Sequence, residues 1–414
     1  MYPALRAAVT RPAHCRFSFR ERARGERVSS ARLGGSCALL CCLAIAVVLA
    51  GFSVAAEDGS EVSDAQRSKD TRIVETLLRL PGVDLESRSD LKQAVLRHME
   101  QHKGTERYVE LADKLNVRAA APELLRLAID SPDATLGVTA AGVLVRFDEQ
   151  ELLLAKAAGD DESAALAAVR VLGRTGDARA VEWLTPLVTD MERSLAVRSA
   201  ALSAVCHNLN GQRWLLERVE SGQLPKDLSF AAADALLGSA DEAIRERAGR
   251  HLSLPATADS VPLPPTSELA AMRGDAERGR ALFADKATCA KCHVVRGQGK
   301  EVGPDLSEIG GKLSREAMFV SILDPSAGIS HNYESYSLIL DSGTVTSGIL
   351  VSQTDDSVTI KTAEAVVQTF PRGEIELFKQ QSVSLMPADL QKNLTARELV
   401  DVVEYLTTLT AAGQ

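Results

Sequence analysis

Cys289-Ala290-Lys291-Cys292-His293 sets two thiols three positions apart, with a histidine directly after the second. On one helical turn such a pair reaches both vinyl groups of a single porphyrin, and the adjoining imidazole is held beneath the iron. The stretch reads as covalent attachment of one c-type haem, with Cys289 and Cys292 as thioether residues and His293 as the proximal iron ligand. Two other uses of paired cysteines fit less well. A structural zinc needs four ligands, and beyond residue 56 the sequence offers only Cys206 and no second paired motif. A redox-active dithiol wants a βαβ setting, whereas the periodicity around this pair is helical.

Before the motif, Ala276, Gly279, Leu282 and Phe283 form one stripe of a short helix, with Asp275 as its N-cap. After it come a glycine-rich loop, Gly297 to Gly303, and then Pro304-Asp305-Leu306. At the far end, Leu399, Val402, Val403, Leu406 and Leu409 mark another amphipathic helix, entered at Thr395 with Glu398 three residues on, a capping box. Between these helices, Tyr336–Leu340, Val345–Val351, Val358–Thr362 and Val366–Phe370 alternate apolar with polar residues across Asp/Ser/Gly and Asp-Asp turns. That period-two pattern predicts a small antiparallel sheet inserted at about 333–378.

The first two thirds of the chain read differently. From 64 to 254, helix follows helix with apolar residues at three-to-four spacing. Glu123 to Ala128 followed by Ala140 to Leu144 resembles Leu152 to Ala155 followed by Ala167 to Gly173, and Trp183 to Leu187 followed by Ala200 to Val205. A fourth, weaker copy runs from Trp214 through Ala231 to Leu236. Helix pairs recurring every thirty residues or so resemble HEAT-type repeats and imply an α-solenoid, whose units bury their apolar sides only against neighbours. Residues 255–272, with Pro262, Pro264 and Pro265, read as a proline-rich linker with little to bury. The expected fold is mainly α: an N-terminal solenoid followed by a cytochrome c-like helical domain, 273–411, carrying the β insertion.

Residues 1–56 read as an address. Eight Arg against two Glu precede an uncharged run ending at Val54-Ala55-Ala56, the pattern of a signal peptide, or of a membrane tether through 38–56 if uncleaved. The leader contributes +6 to a net charge of −9 and leaves −15 for the remainder, so no basic face for nucleic acid is expected. Export places the protein in the periplasm or cell envelope, where paired thiols oxidise unless haem consumes them.

The order Gly-Asp-x-x-Arg-Gly, Cys-x-x-Cys-His, Val-Gly-Pro-Asp-Leu, Ile-Leu-Asp-Pro-Ser, β insertion and Ser-Leu-Met-Pro before a Tyr-Leu helix resembles the haem-binding domain of the Pirellula/Verrucomicrobium type over Arg273–Leu409. Within it, Gly279 with Phe283, and Val402 with Tyr405, resemble the crossing terminal helices of class I cytochromes c. The likeness implies that the Pro304 carbonyl accepts a hydrogen bond from His293, and that Met386 in the irregular segment before the last helix is the distal ligand. Met318 falls inside a helix, where a core methionine is expected, and His331 falls in a turn, where an exposed side chain is expected. His98 and His102 share a helix face without a third ligand and read as polar surface.

Electron transfer by a mono-haem cytochrome, its solenoid docking a redox partner such as a dehydrogenase or another cytochrome, is the function these features imply. A haem enzyme with an open coordination site, and a haem-containing scaffold or sensor whose repeats bind protein, stand as the alternatives.

Overall fold

A computed structural model describes residues 63–80 and 82–411. The leader segment 1–56 lies outside the described residues. Among the described residues no helix is long and apolar enough to cross a membrane. The described chain is mainly helical with one small antiparallel sheet near its C-terminal end.

The helical portion begins with α1 (Asp64–Leu77), α2 (Ser89–Glu100) and α3 (Glu106–Lys114). The three stretches with internal likeness then form successive helix pairs: α4 (Ala121–Asp130) with α5 (Thr135–Arg146), α6 (Gln150–Ala157) with α7 (Glu162–Arg174), and α8 (Ala180–Thr189) with α9 (Leu195–Val205). Short polar caps start many of them; Asp161 and Ser194, for example, accept the amides of Ala164 and Val197. Small residues bring second helices together. A Cβ on Gly173 would stand 2.6 Å from that of Ala204, so α7 and α9 touch almost backbone to backbone. The fourth likeness corresponds to α10 (Leu209–Glu220) and α11 (Ser229–Leu237), followed by α12 (Glu242–Ala248).

The proline-rich segment departs from expectation. Instead of a tether with little to bury, it forms a bridge between Ala256 and Pro262 and a short helix, α13 (Thr266–Ala271), and inserts Leu263 and Leu269 into the core of the following domain. The prolines hold the chain extended up to Thr266, whose amide and hydroxyl donate to the two oxygens of Asp234 on α11 at 2.7 and 2.6 Å. Stiff, pre-extended backbone lowers the entropy cost of docking, which composition alone read as a loose linker.

The last domain is closed by α14 (Ala276–Ala284) and α16 (Ala396–Thr407), with α15 (Arg315–Leu323) packed beneath. Asp275 and the Thr395–Glu398 capping box start the two crossing helices, as the sequence indicates. Gly279 makes the crossing possible, since a Cβ there would lie 1.9 Å from the Asp401 carbonyl oxygen and 2.9 Å from the Tyr405 side chain. Phe283 meets Tyr405 edge to face at 5.7 Å, a contact worth about 0.5–1.5 kcal/mol beyond its buried area. The fully buried Asp401 carboxylate accepts the Asp275 amide at 2.8 Å and the Arg278 guanidinium, and no sequence pattern announced it.

The insertion is a five-stranded antiparallel sheet of order β4-β3-β2-β1-β5: β1 (Ser335–Leu340), β2 (Val345–Gln353), β3 (Ser357–Lys361), β4 (Val367–Pro371) and β5 (Ile375–Gln380). The first four match the alternating segments. The fifth, Ile-Glu-Leu-Phe-Lys-Gln, returns to pair with β1 through a bulge at Ile339/Leu340, which its charged residues concealed. The sheet thus ends at Gln380 rather than 378, and its start and finish lie side by side.

Gly279→Ala is expected to destabilise this domain by about 3 kcal/mol, because the backbone clash outweighs the gain of about 1 kcal/mol from helix propensity. Gly142→Ala on α5, where the nearest atom to a new Cβ is a flexible Arg146 nitrogen at 3.4 Å, is expected to be neutral or stabilising. Chemical denaturation of both variants tests the contrast; equal effects would remove the crossing from its central role.

Candidate haem site

Thr288 adopts the left-handed region at φ 60° and redirects the chain out of α14 into the 3₁₀ turn Cys289–Lys291. The His293 amide closes on the Cys289 carbonyl at 2.9 Å, so the motif forms the single turn that its spacing predicts. The following loop folds back beneath it: the amides of Val302 and Gly303 both donate to the Cys292 carbonyl, at 2.9 and 2.7 Å. Gly299, at φ 112°, passes close under the His293 carbonyl.

This return brings Pro304 to the histidine. Its carbonyl oxygen lies 2.8 Å from His293 Nδ1, and because a carbonyl only accepts, Nδ1 carries the proton. Burial lowers the His293 pKa, with the Pro304 bond acting in the opposite direction, so the neutral ring presents Nε2 as a free lone pair. Gly303 sits against the ring face. A Cβ there would fall 2.6 Å from Cε1, so the Val-Gly-Pro segment combines a residue that lets the ring approach with one that orients it.

Cys292 and His293 open onto a mostly apolar cleft, partly open to solvent. Its walls come from α15 through Met318 and Ile322, from β2 through Ile349, from the β3–β4 turn through Ala363, and from the irregular segment holding Met386. The structure therefore brings Cys292, His293, Pro304 and Met386 to one cleft. Cys289 sits half-buried against the helical core, its thiol 3.7 Å from the Ala287 carbonyl. Met318 is buried and also faces the cleft, so core packing and site lining coincide there. His331 is exposed beside Glu334.

Both thiols are shifted upward by burial, Cys289 to about 12. A redox-active dithiol needs the opposite shift, toward thiolate at neutral pH, so this pair is not poised for exchange. Among the described residues no three His, Cys, Asp or Glu side chains are disposed to hold one metal ion. The donor set instead suits covalent haem: two thiols on one turn, an oriented neutral imidazole, and an apolar cleft with a thioether on its wall.

Outside the cleft, His98 corrects the sequence reading. It is buried between α1 and α2, with Nδ1 3.4 Å from the Thr71 hydroxyl and its ring 4.9 Å from that of His102, rather than on a polar face. Cys206 is buried and its thiol pushed up to about 12, as expected of a small hydrophobe.

A family described as Cytochrome c matches residues 276–336, which span α14, the attachment turn, the return loop and α15, and end within β1. No curated protein matches the chain. The match supports a cytochrome c-like haem-binding domain in this chain, which implies covalent haem c and supports haem-based electron transfer in general.

Sequence reasoning passed over Asp324 in the Ile-Leu-Asp-Pro-Ser stretch as a charged group. Burial, together with nearby Asp227, raises its pKa to about 6, and one carboxyl oxygen has no hydrogen-bond partner among the described residues. A carboxyl with a folded pKa above its unfolded value costs stability as pH rises between the two. Stability should therefore fall from about pH 4 to about pH 6 through this group, and Asp324→Asn should stabilise the protein at pH 7 by about 1–2 kcal/mol while flattening that decline. Thermal unfolding across this range measures it; an unchanged profile in the variant would assign the decline elsewhere.

Proposed function

We propose that this chain is an exported mono-haem c-type cytochrome that passes single electrons through a His/Met-ligated haem. Cys289 and Cys292 would form the two thioether bonds, His293 would bind iron through Nε2, and Met386 would supply the distal thioether. The observation that carries the reading is the pinned tautomer of His293: Nδ1–H donates to Pro304, which frees Nε2 and raises its basicity. Bound haem supplies a ferrous/ferric couple. The residues around it would set potential and access: apolar walls disfavour the more charged ferric form, and a methionine ligand raises the potential further.

The successive helix pairs of 64–254 support a HEAT-like α-solenoid, here read as a docking surface for a redox partner protein, a dehydrogenase or another cytochrome. The ordered motifs of 273–411 support the Pirellula/Verrucomicrobium-type domain, and the leader supports a periplasmic or cell-envelope location. Chemistry at the haem would need an open coordination position, which a firm Met386 ligand closes.

Met386→Ala is expected to abolish the thioether-to-iron charge-transfer band and to lower the midpoint potential by on the order of a hundred millivolts, a fraction of the roughly 0.8 V that axial ligation spans. Met318→Ala should do neither. Redox-poised absorption spectra of the haem-loaded protein decide between them, and an unchanged band in Met386→Ala would refute the ligand assignment.

A further inference from the structure

Two of the motifs that mark the haem domain have no role in the chemistry above: Ile-Leu-Asp-Pro-Ser at 322–326, and the serine that opens Ser-Leu-Met-Pro at 384–387. They lie 58 residues apart, on opposite sides of the β insertion, and the structure joins them. The Ser384 amide donates to Ser326 Oγ at 3.1 Å, and the Met386 amide donates to Ser384 Oγ at 3.2 Å. A third serine, buried Ser335 at the start of β1, donates through Oγ to the Val383 carbonyl at 2.6 Å, while its own carbonyl accepts the Gln381 amide at 2.8 Å.

The segment has little else to hold it. Residues 382–388 form no helix or strand, and among the described residues the hydrogen bonds to their main chain run through Ser326, Ser335 or Ser384. The anchors are themselves rigidly placed. Ser326 follows Pro325, which is buried on the cleft wall, and Ser335 begins a strand paired on both sides, with β2 and β5. An irregular loop takes its geometry from such tethers, because nothing else offsets the conformational freedom of its backbone.

We infer that Ser326, Ser335 and Ser384 are positioning residues for Met386, and that the β insertion acts as a clamp whose joined ends hold the methionine segment against the cleft. The inference rests on Met386 as distal ligand and explains why a sheet stands between the two ligand segments. β1 and β5 are neighbours, so the strands leave and return at one place, and that junction is where the methionine loop is tied.

The test uses the full-length haem-loaded protein with imidazole as the competing ligand. Imidazole binds only when the thioether is displaced, so its apparent affinity follows the fraction of loops released. Losing one tether of ordinary hydrogen-bond strength should tighten apparent imidazole binding about three- to tenfold in Ser326→Ala and in Ser335→Ala, with weakening of the charge-transfer band. Ser326→Thr, which keeps the hydroxyl, should restore wild-type behaviour, and Ser337→Ala, whose hydroxyl meets only Ser347 across the sheet at 2.9 Å, should show no effect. In a Met386→Ala background the serine substitutions should add nothing. A serine effect that persists there would mean that the serines control access to the cleft instead, and would overturn the inference. If Met386→Ala alone changes neither the band nor imidazole affinity, the ligand assignment fails. If it changes both while the serine variants change neither, the clamp fails. Should the alanine variants not fold, amide exchange in the wild-type protein decides: the Ser384 and Met386 amides should be protected relative to those of Ser382 and Leu385, and equal exchange would overturn the proposal.

Discussion

The haem domain hangs on the approach of α14 to α16 at Gly279. Two helices more than a hundred residues apart in sequence meet so closely that a peptide oxygen occupies the space of a side chain. Around that point the contact is polar as well as apolar. Burial alone would push the Asp401 carboxyl upward, yet the Arg278 guanidinium and the Asp275 amide together hold it below its ordinary value. Glu404, one turn further on, accepts the Gly274 amide at 2.9 Å and Arg315 at 2.8 Å, which ties α15 to the same crossing. A buried carboxylate tolerates no loss of these donors, so the charges fix the register of helices that apolar packing alone would leave free to slide.

Everything at the cleft is referred to that crossing. The attachment turn leaves the end of α14 directly, and Leu406 of α16 reaches the cleft wall. The return loop needs no secondary structure because its amides bond back to the motif it serves: Lys300 to Ala290, Val302 and Gly303 to Cys292, and Leu306 to Val294. The consequence is a histidine whose orientation is decided by backbone rather than by side chains.

How far the sequence disclosed this depended on whether the signal was local. Cys-x-x-Cys-His, the Asp275 cap, the Thr395–Glu398 box and four alternating strands are all written within a few consecutive residues, and each reappears in the structure. What escaped was set by partners far away. β5 carries charges where a strand would alternate, and only its pairing with β1 makes it one. Asp401 looks like any helix-surface acid until α14 is laid across it. His98 looks polar until α1 covers it. The proline-rich segment 255–272 reads as a linker because composition reports stiffness without reporting what the stiff chain points at.

That segment bears on how the two larger parts of the chain work together. A loose linker would let the helical portion and the haem domain move independently, and docking at one would say little about electron passage at the other. Here the coupling is built in. Asp234 of α11 holds Thr266, the Ala258 amide donates to the Leu394 carbonyl at 2.9 Å just before α16, and Phe230 joins the haem-domain core. Asp227, which carries the buried Arg198 of α9 on bonds of 2.6 and 3.2 Å, also raises the pKa of Asp324, whose neighbour Pro325 lines the cleft. The helical pairs and the cleft are therefore joined by hydrogen bonds, by a shared core and by charge. On the proposed reading, a partner docked on the helices would meet a haem domain held in place relative to them.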